Sequence, residues 1–515
     1  MRVALLSVNA FIPCDGFRLI LALLRRDGHE ATVVSMPRQF PQACTEHELR
    51  QLGRVVESAD LVLIGVYSAF SARAIQVSDH LRARRPDRLI VWGGPHCVAS
   101  PEACLRHADG VCYAEGDEAV PLFVRRLAAG DPAWIETPNF AFRAAGGSRI
   151  NPVLPPTADL DALPFYDYSF ENEFVLDGAL EPVGTEVLKR YLPVHPFLVP
   201  TATFLTSRGC PHHCAYCNHC RFLALHGRPV PIRRQSVGRF MDEVEHTLAR
   251  LPFVERVLFG DDDFLIRPAA ELEAFAARYR QTVARPFAVC LSANTYRREK
   301  LDLLLEAGLS IAQIGVQSGS QRVLDEVYDR GVRVEQARAV IAEAAPRLAA
   351  RGGLVLADFI VDNPYETEED VLATYRFLVD LPHEVFTEIF ALVFLPGTPL
   401  YDRALADGHI RPFDPSTFRD YTSRAALYQV NYPLLLIRLL EALREERAHR
   451  RVPRRLLHAL AARPAVRLMR FIPRWAMARL IRRLPWMLRR LARIARKAAG
   501  LGPTSGRRRC SWASR

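Results

Sequence analysis

The sequence predicts an α/β protein with two successive parallel sheets and a basic helical tail. In residues 1–130 and again in residues 196–430, short apolar runs alternate with amphipathic, helix-like stretches. Strands that alternate with helices form parallel sheets covered by helices. The first series predicts a doubly wound, Rossmann-like sheet, and the second predicts a partial (β/α)6 barrel of the TIM type. The tail, residues 431–515, is rich in arginine and poor in acids.

Length and composition indicate an intracellular protein of two or three domains. The chain has 515 residues, and 49% of them are hydrophobic, which is ample for large cores. Met1 and Arg2 lead directly into an apolar segment, without the pattern of a secretory signal. We find no run of about 18 apolar residues and therefore predict no membrane-spanning helix. A cytoplasmic, reducing setting is expected, and the eleven cysteines make a disulfide framework a weak interpretation.

The first series contains five candidate strands and five candidate helices. Sheets of this kind bind ligands at the carboxyl ends of their strands, near a switch in strand order. No GxGxxG sequence follows the first strand, which argues against a dinucleotide. The strands are predicted at 3–8, 31–36, 61–67, 89–93 and 110–114, and the helices at 17–26, 46–58, 72–84, 101–107 and 118–129.

Residues 131–195 carry scattered prolines, few periodic apolar positions and an aromatic cluster at 165–170. This pattern predicts a connector that wraps between the two domains. We expect the aromatic side chains to pack rather than to contact a substrate.

The second series contains six candidate strands with helices between them. In such barrels the active site lies at the carboxyl ends of the strands. The strands are predicted at 202–206, 256–259, 287–291, 311–316, 353–360 and 388–394, and the helices at 237–250, 269–282, 298–307, 322–328, 334–351 and 368–381.

Three cysteines follow the first strand of the second series in a CxxxCxxC pattern. Cys210, Cys214 and Cys217 could hold three irons of a cubane cluster and leave the fourth iron open. A structural zinc site is the alternative, with Cys220 as a fourth thiolate, although such sites usually join two CxxC pairs across a longer insert. We expect Cys220 to be a bystander, and the neighbouring histidines, His212 and His213, to be exposed loop residues.

This spacing, and the strand before it, resemble the signature of radical S-adenosylmethionine (radical SAM) enzymes. The resemblance implies a [4Fe-4S] cluster whose open iron binds SAM. The reduced cluster would then cleave SAM to a 5′-deoxyadenosyl radical, with electrons from a donor such as flavodoxin or ferredoxin. Tyr216, between the second and third cysteines, occupies an aromatic position that contacts the adenine in this family.

Later strand ends carry further motifs of the same family. Residues 315–320 resemble its GxESGS motif, residues 362–367 its GxPxET motif, and residues 395–401 its PGTPLY motif. Gln317 stands where Glu is common, and Asp362 stands where Gly is common. By resemblance, the acids after the second strand lie near the amino group of SAM. The expected SAM contacts are Tyr216, Gly260, Asp261, Asp262, Ser292, Gln317 and Asn363.

The front domain resembles the cobalamin-binding domain that precedes many radical SAM cores. The matching pieces are residues 92–96, WGGPH, and 114–118, AEGDE. Glycines there would let the backbone approach a corrin closely. A DxHxxG motif begins at Asp27 but has Thr32 in place of glycine, so we predict no histidine on the cobalt. A sheet domain that binds no cofactor is the alternative. The expected cobalamin contacts are Ser68, Gly93, Gly94, Pro95, His96, Glu115 and Gly116.

The tail concentrates the positive charge of the chain. Residues 431–515 contain 23 Lys and Arg against three acids, a net charge of +20, whereas the rest of the chain carries −9. Arginines recur at steps of three and four among leucines and tryptophans, which predicts a basic amphipathic helix, broken by Pro473 and Pro485. Such a helix favours peripheral association with the inner face of a membrane. The alternative is a helix packed on the barrel, and nucleic acid is not expected as a partner.

Together these features predict a cobalamin-dependent radical SAM methyltransferase. We expect it to act on an unactivated carbon of a small-molecule substrate, a lipid or a natural product. One alternative is a cyclase or rearrangement enzyme with the same cofactors. The alternative from another class is a non-catalytic metal-binding scaffold at a membrane surface.

Overall fold

The computed structural model describes residues 1–12, 16–37, 42–144, 146–192, 199–227, 229–412 and 428–498. It is an α/β structure in which a nine-stranded sheet is followed by a six-stranded parallel sheet and then by helices. This confirms the predicted fold class.

The first sheet has the strand order β7-β6-β5-β4-β3-β1-β2-β8-β9. The five predicted strands, β1 to β5, are parallel to one another. Since β1 lies between β2 and β3, the strand order reverses there, which is where such sheets bind ligands. The strands are β1 Arg2–Ser7, β2 Glu30–Ser35, β3 Leu61–Gly65, β4 Leu89–Gly93, β5 Gly110–Cys112, β6 Phe140–Ala144, β7 Gly147–Ile150, β8 Glu173–Asp177 and β9 Ala179–Pro182.

Helices cover both faces of this sheet. Ala4 and Leu6 of β1 are buried in the core on one face, and Val3 and Leu5 are buried in the core on the other. Successive residues of this strand are thus buried on opposite faces, as expected in a doubly wound sheet with both faces covered. The helices are α1 Gly16–Arg26, α2 Glu46–Val55, α3 Ser71–Arg84, α4 Pro95–Ala99, α5 Pro101–Cys104, α6 Ala119–Ala128 and α7 Thr185–Tyr191.

The segment 131–195, expected to be a connector, also completes the first sheet at both edges. Strands β6 and β7 add to β5, and β8 and β9 add to β2. All four residues of β7 are exposed, so the sequence offers no alternation of apolar and polar residues to mark it.

A buried ion pair holds the added strand β8. Arg18 of α1 lies 2.7 and 2.8 Å from the two carboxylate oxygens of Glu173. The two side chains are 0% and 1% exposed. The same guanidinium lies over the rings of Tyr168 and Phe170, 5.3 and 4.8 Å from their centroids, so these aromatic side chains pack as expected.

The second sheet has six parallel strands in the order β10-β13-β14-β15-β16-β17, and its first and last strands do not pair with each other. It is therefore the open, partial barrel that the sequence predicts. A short antiparallel ribbon, β11 with β12, stands beside it. The strands are β10 Thr201–Phe204, β11 Ser207–Arg208, β12 Arg233–Arg234, β13 Arg256–Phe259, β14 Phe287–Leu291, β15 Leu309–Gln317, β16 Leu354–Val361 and β17 Phe386–Ala391.

Helices cover the outer face of the barrel. The predicted helix at 322–328 is a π-helical turn, Val323–Val327. Inside the barrel, Ala288, Ile311 and Leu356 pack together and close its floor. The helices are α8 Asn218–His226, α9 Val237–Arg250, α10 Ala269–Thr282, α11 Arg298–Ala307, α12 Val334–Ala349, α13 Glu368–Asp380 and α14 Pro399–Ala406.

The tail packs on the barrel through its first helix. Helix α15 is largely buried against α13 and β17, and α18 lies on α15. The break predicted at Pro485 is wrong, because α18 is continuous; Met477 and Ile481 are buried before the proline, and Arg489 after it. None of the helices in the described ranges could span a bilayer, by length and hydropathy. The helices are α15 Tyr432–Glu445, α16 Arg454–Leu460, α17 Arg463–Met469 and α18 Arg474–Ala498.

Replacing Arg18 with Met should destabilise the front domain by about 3–5 kcal/mol, because the carboxylate of Glu173 would remain buried without its cation. Urea unfolding followed by circular dichroism measures the loss. Arg125→Met is the matched control: Arg125 is 53% exposed in its pair with Asp27 and should cost less than about 1 kcal/mol. Equal losses in the two variants would contradict the structural role of the buried pair.

Candidate active site

The cysteine loop leaves the carboxyl end of β10 through β11, at the mouth of the barrel. Backbone hydrogen bonds hold its centre on both sides: Ala215 N donates to Tyr328 O at 2.8 Å, and Leu400 N donates to Ala215 O at 2.9 Å. Tyr328 directly follows the π-helical turn, and Leu400 is the second residue of α14. The loop is thus fixed between the ends of two later β/α units.

The surroundings of the three thiols fit iron–sulfur ligands. Cys214 is buried, and Cys210 and Cys217 are partly exposed. Arg330 lies 3.4 Å from Cys214 Sγ and also donates to the hydroxyl of Tyr216 at 2.9 Å. Burial raises the pKa of Cys210 to about 12 and that of Cys217 to about 11, so these thiols keep their protons until a metal displaces them.

The described side chains are not grouped as the ligands of a single zinc ion. Within the described ranges, no three or more His, Cys, Asp or Glu side chains are grouped so as to hold one metal ion. Cys220 Sγ donates to the backbone oxygen of Cys214 at 3.1 Å. In a cubane each cysteine binds a different iron, so the three sulfurs need not meet at one point.

Two histidines, His212 of the loop and His219 of α8, have partners that the sequence did not reveal. His212 Nε2 lies 2.9 Å from Ser292 Oγ, which ties the loop to the end of β14, and His212 is half-buried rather than exposed as expected. His219 Nε2 accepts from Cys210 N at 3.3 Å. His213 is exposed, as expected. Polar residues within the cysteine motif were the only signal for these contacts.

Of the three acids after β13, two are buried and hydrogen-bonded within the protein, and one is exposed to solvent. Asp261 is buried and accepts hydrogen bonds from Thr206 Oγ1 at 2.6 Å and from Ser207 N at 2.9 Å. Its carboxylate therefore fixes the chain where it leaves β10, and the expected SAM contact of Asp261 stays a prediction. Asp263 is buried and bonded to Thr295 Oγ1 at 2.6 Å. Asp262 alone of the three acids is exposed at the mouth.

Two later strands end in left-handed backbone. Gln317 has φ +73°, and Asp362 has φ +62°, where the resembling motif carries glycine. Asn363 is fully buried; it donates to the hydroxyl of Tyr328 at 3.2 Å and accepts from Tyr365 N at 2.9 Å. Its side chain is therefore bonded within the protein, and the SAM contact expected of Asn363 stays a prediction.

The other expected SAM contacts come together at the mouth of the barrel. They follow β10, β13, β14 and β15, whose carboxyl ends are adjacent in the sheet. Their role as SAM contacts stays a prediction. They are Tyr216, Gly260, Asp262, Ser292 and Gln317.

A polar layer inside the barrel was missed by the sequence reasoning. Cys290 Sγ donates to Gln313 Oε1 at 3.6 Å, and Gln313 Nε2 donates to Asp358 Oδ2 at 2.7 Å. Asp358 is buried, its Oδ1 has no hydrogen-bond partner in the described part, and burial raises its pKa to about 7. Each of these three residues lies two positions after one of the apolar residues that form the barrel floor. A polar residue at this spacing in an otherwise apolar strand is the sequence feature that could have predicted the layer.

In the front domain, three loops meet at the reversal of strand order. Tyr67 N donates to Asn9 Oδ1 at 3.2 Å, and His96 Nδ1 lies 3.1 Å from Ser68 Oγ. Gly94 has φ +100°, and a Cβ there would lie 2.9 Å from the backbone oxygen of Val66. Glycine is thus required at position 94 by the neighbouring strand end, and its contact with a corrin stays a prediction. Gly93 and Pro95 belong to the same loop.

Glu115 and Asp117 bind the other domain. Glu115 lies 2.7 Å from Arg233 Nη2, and Asp117 binds Arg208, two residues before the first cysteine. Burial acts to raise the pKa of Glu115, but the hydrogen bond from Arg233 and the charges of Arg208 and Arg233 lower it overall. Glu115 therefore joins the two domains, and the cobalamin contact expected of it stays a prediction. Gly116 packs against other side chains of the front domain.

A cavity of about 590 Å³ lies where the domains meet. Its walls come from α5 and β7 of the front part and from α8, which follows the cysteines. Cavities of this size hold small-molecule ligands. The lining includes Ser100, Glu102, Tyr113, Pro152, Arg221 and Leu225.

Comparison with known families agrees with this division. Residues 1–124 match the B12 binding domain, and residues 204–378 match the radical SAM superfamily. An uncharacterized methyltransferase of Pyrococcus horikoshii is 22% identical over 78% of this chain and 80% of its own. The cytidylyl-2-hydroxyethylphosphonate methyltransferase of Streptomyces wedmorensis is 25% identical over 68% of each chain.

A solved structure shares the fold. It is the radical S-adenosylmethionine methyltransferase TsrM of Kitasatospora setae, known with cobalamin and a [4Fe-4S] cluster and with tryptophan and a SAM analogue. The TM-score is 0.62 at 17% identity, over 79% of this chain and 76% of that one.

Cys214→Ala should abolish assembly of the cluster, and with it SAM cleavage, while cobalamin binding persists at the separate front site. Cys220→Ala should retain about four irons per chain, since its thiol bonds to backbone. Iron and sulfide analysis after anaerobic reconstitution, with cobalamin absorbance on the same samples, measures both. Joint loss of cluster and cobalamin in Cys214→Ala would count against two separable sites.

Asp358→Asn should change how stability depends on pH. The folded pKa is about 7 and the ordinary value is near 4, so between these values the unfolded carboxyl ionises first and the wild type loses stability as pH rises. The variant should lack this loss when melting temperatures at pH 5 and pH 8 are compared.

Asp370→Asn is the control for this comparison. The pKa of Asp370 is lowered to about 2, since the hydrogen bonds from Arg322, Ser320 and Thr367 outweigh the opposing effect of burial. Its loss should therefore destabilise the protein equally at both pH values. Parallel pH profiles for wild type and Asp358→Asn would refute the assignment.

Proposed function

The chain belongs to the radical SAM enzymes that carry a cobalamin-binding domain, and on this premise we propose that it methylates an unactivated carbon of a small molecule or lipid. The observation that supports the proposal is a joint between the two sites, formed by ion pairs that connect the front domain to the residues beside the cysteine loop. Glu115 and Asp117 of the front domain bind Arg233 and Arg208, which flank the cysteine loop.

This joint supports methyl transfer because it sets the front-domain site beside the mouth of the barrel. Asn218, directly after the third cysteine, donates to the backbone oxygen of Pro95 at 3.1 Å. Pro95 belongs to the loop proposed to contact cobalamin. A group held at that loop and a group held at Cys210, Cys214 and Cys217 would therefore share one space. Holding reactants together in this way removes much of the entropic barrier to reaction.

The residues of the chain hold, orient and shield the reacting groups. When bound, the cluster and SAM supply a hydrogen-abstracting radical and cobalamin supplies the methyl group. Cys210, Cys214 and Cys217 would hold the cluster, with Arg330 placing positive charge beside Cys214. The loops with Ser68 and residues 93–96 would hold the corrin. Burial of Cys214 and closure of the barrel floor limit the access of water to this region.

A small molecule is the substrate class that we propose. The cavity of about 590 Å³ opens between the domains and has a mixed lining with the hydroxyl of Ser100 and the guanidinium of Arg221. The relative from Streptomyces wedmorensis is named for a nucleotide-activated phosphonate. A lipid remains within the same proposal, because the tail would bring the enzyme to a membrane.

We further propose that a flavodoxin or ferredoxin delivers the electron in the cytoplasm. Cys210 and Cys217 are partly exposed, so the cluster would lie near the surface of the loop that such a donor approaches. A reducing compartment would keep the free thiols of the chain available for iron.

SAM with a trideuterated methyl group tests the proposal. The anaerobically reconstituted enzyme, given cobalamin, a reductant and the metabolite extract of a strain lacking the gene, should yield a product in which one CD3 group has replaced one hydrogen of the substrate. Mass spectrometry of the extract before and after reaction measures it. A product of unchanged mass, formed with 5′-deoxyadenosine, would instead establish cyclisation or rearrangement.

A further inference from the structure

Nearly all of the large apolar side chains that are exposed to solvent in the described part of the protein belong to the C-terminal helices. Ten such side chains are 39% exposed or more, and nine belong to α16–α18 and their connections. Phe471 is 85% exposed and Trp475 is 66% exposed. We call these nine the tail surface: Leu456, Leu460, Leu468, Phe471, Trp475, Trp486, Met487, Leu491 and Ile494.

The tail surface is also strongly basic. Residues 447–498 contain 17 Lys and Arg and no Asp or Glu. The guanidinium of Arg479 lies 5.5 Å from the ring centroid of Trp475, and that of Arg490 lies 5.6 Å from the ring of Trp486. The tail surface thus presents guanidinium groups and aromatic rings together, beside its exposed apolar side chains.

The opposite face of α18 fixes the helix to the barrel. Met477 and Ile481 are 3% and 2% exposed against the core. Arg489 is buried and bonds to Glu445 of α15 at 2.5 Å. Because one face is already packed and paired, the tail surface is held outward on a rigid support.

We propose that the tail surface binds an anionic lipid bilayer. A helix with arginines and with Trp, Leu and Ile side chains lies in the headgroup region, where the apolar side chains enter the acyl boundary and the cations meet lipid phosphates. The charge of the surface matches that partner. A nucleic acid is a poorer match, since Met487, Leu491 and Ile494 add apolar area that gives no stacking.

Sedimentation of the full chain with vesicles tests the proposal. The assay needs no cofactor or substrate, so a failure to bind vesicles would not contradict the proposed methyl transfer. Phosphatidylcholine vesicles serve as the neutral probe, and vesicles of phosphatidylcholine with phosphatidylglycerol as the anionic one. The protein should sediment with the anionic vesicles alone, and added salt should weaken the binding. Tryptophan emission should shift to the blue as Trp475 and Trp486 leave water.

Paired variants locate the binding surface. Trp475→Ala with Trp486→Ala, and separately Arg482→Gln with Arg483→Gln, should each weaken binding about tenfold or more. Ile150→Ala removes the exposed apolar side chain outside the tail, and Arg50→Gln with Arg54→Gln removes two exposed cations of α2; both controls should bind like the wild type. Circular dichroism establishes that all variants are folded.

Three outcomes would overturn the proposal. The first is equal binding to neutral and anionic vesicles, or no binding to either. The second is tail variants that bind like their controls. The third is a single-stranded RNA probe that binds more tightly than the anionic vesicles, or a dimer that forms through the tail and abolishes vesicle binding.

Discussion

Buried carboxylates that bind backbone and arginine around the cysteine loop are the constraint on which the rest of the structure depends. Asp261 bonds to the residues that leave β10, and Glu115 binds Arg233 on the neighbouring ribbon. Charge-assisted bonds in a dry setting are short and directional, and loss of one partner leaves a costly buried charge. These contacts orient the loop toward the barrel on one side and the front domain on the other.

The barrel interior is layered in a way that complements this loop. An apolar floor lies under the polar chain of Cys290, Gln313 and Asp358, and the mouth with the cysteines lies above. The left-handed backbone of Gln317 and Asp362 occurs at strand ends on the same side as the mouth. Such conformations cost energy in residues other than glycine and persist where the surroundings hold them. Here the amides of Tyr428 and Gln429 both bond to Asp362 Oδ1, at 2.9 and 2.8 Å.

The two faces of the tail have different surroundings. Its inner face completes the packing of α15, and its outer face carries apolar and basic side chains that no other part of the described structure covers. Folding alone explains the first face, since burial of Met477 and Ile481 removes apolar area from water. The apolar side chains of the outer face are exposed in the described structure, and the proposed bilayer would remove them from water.

The sequence by itself determined the fold class, the strands of both series and the cysteine loop, because alternating β/α patterns and thiol spacing are local properties. Only the tertiary structure decided that Asp261, Asn363 and Glu115 are committed to partners within the protein, since those partners lie on distant segments. The tertiary structure also decided that α18 continues through Pro485, because neighbouring contacts maintain the helix. It likewise revealed the exposed strand β7, because no apolar pattern in the sequence predicts its pairing with β6. Local pattern thus specifies the elements, while the surroundings of each polar side chain decide its role.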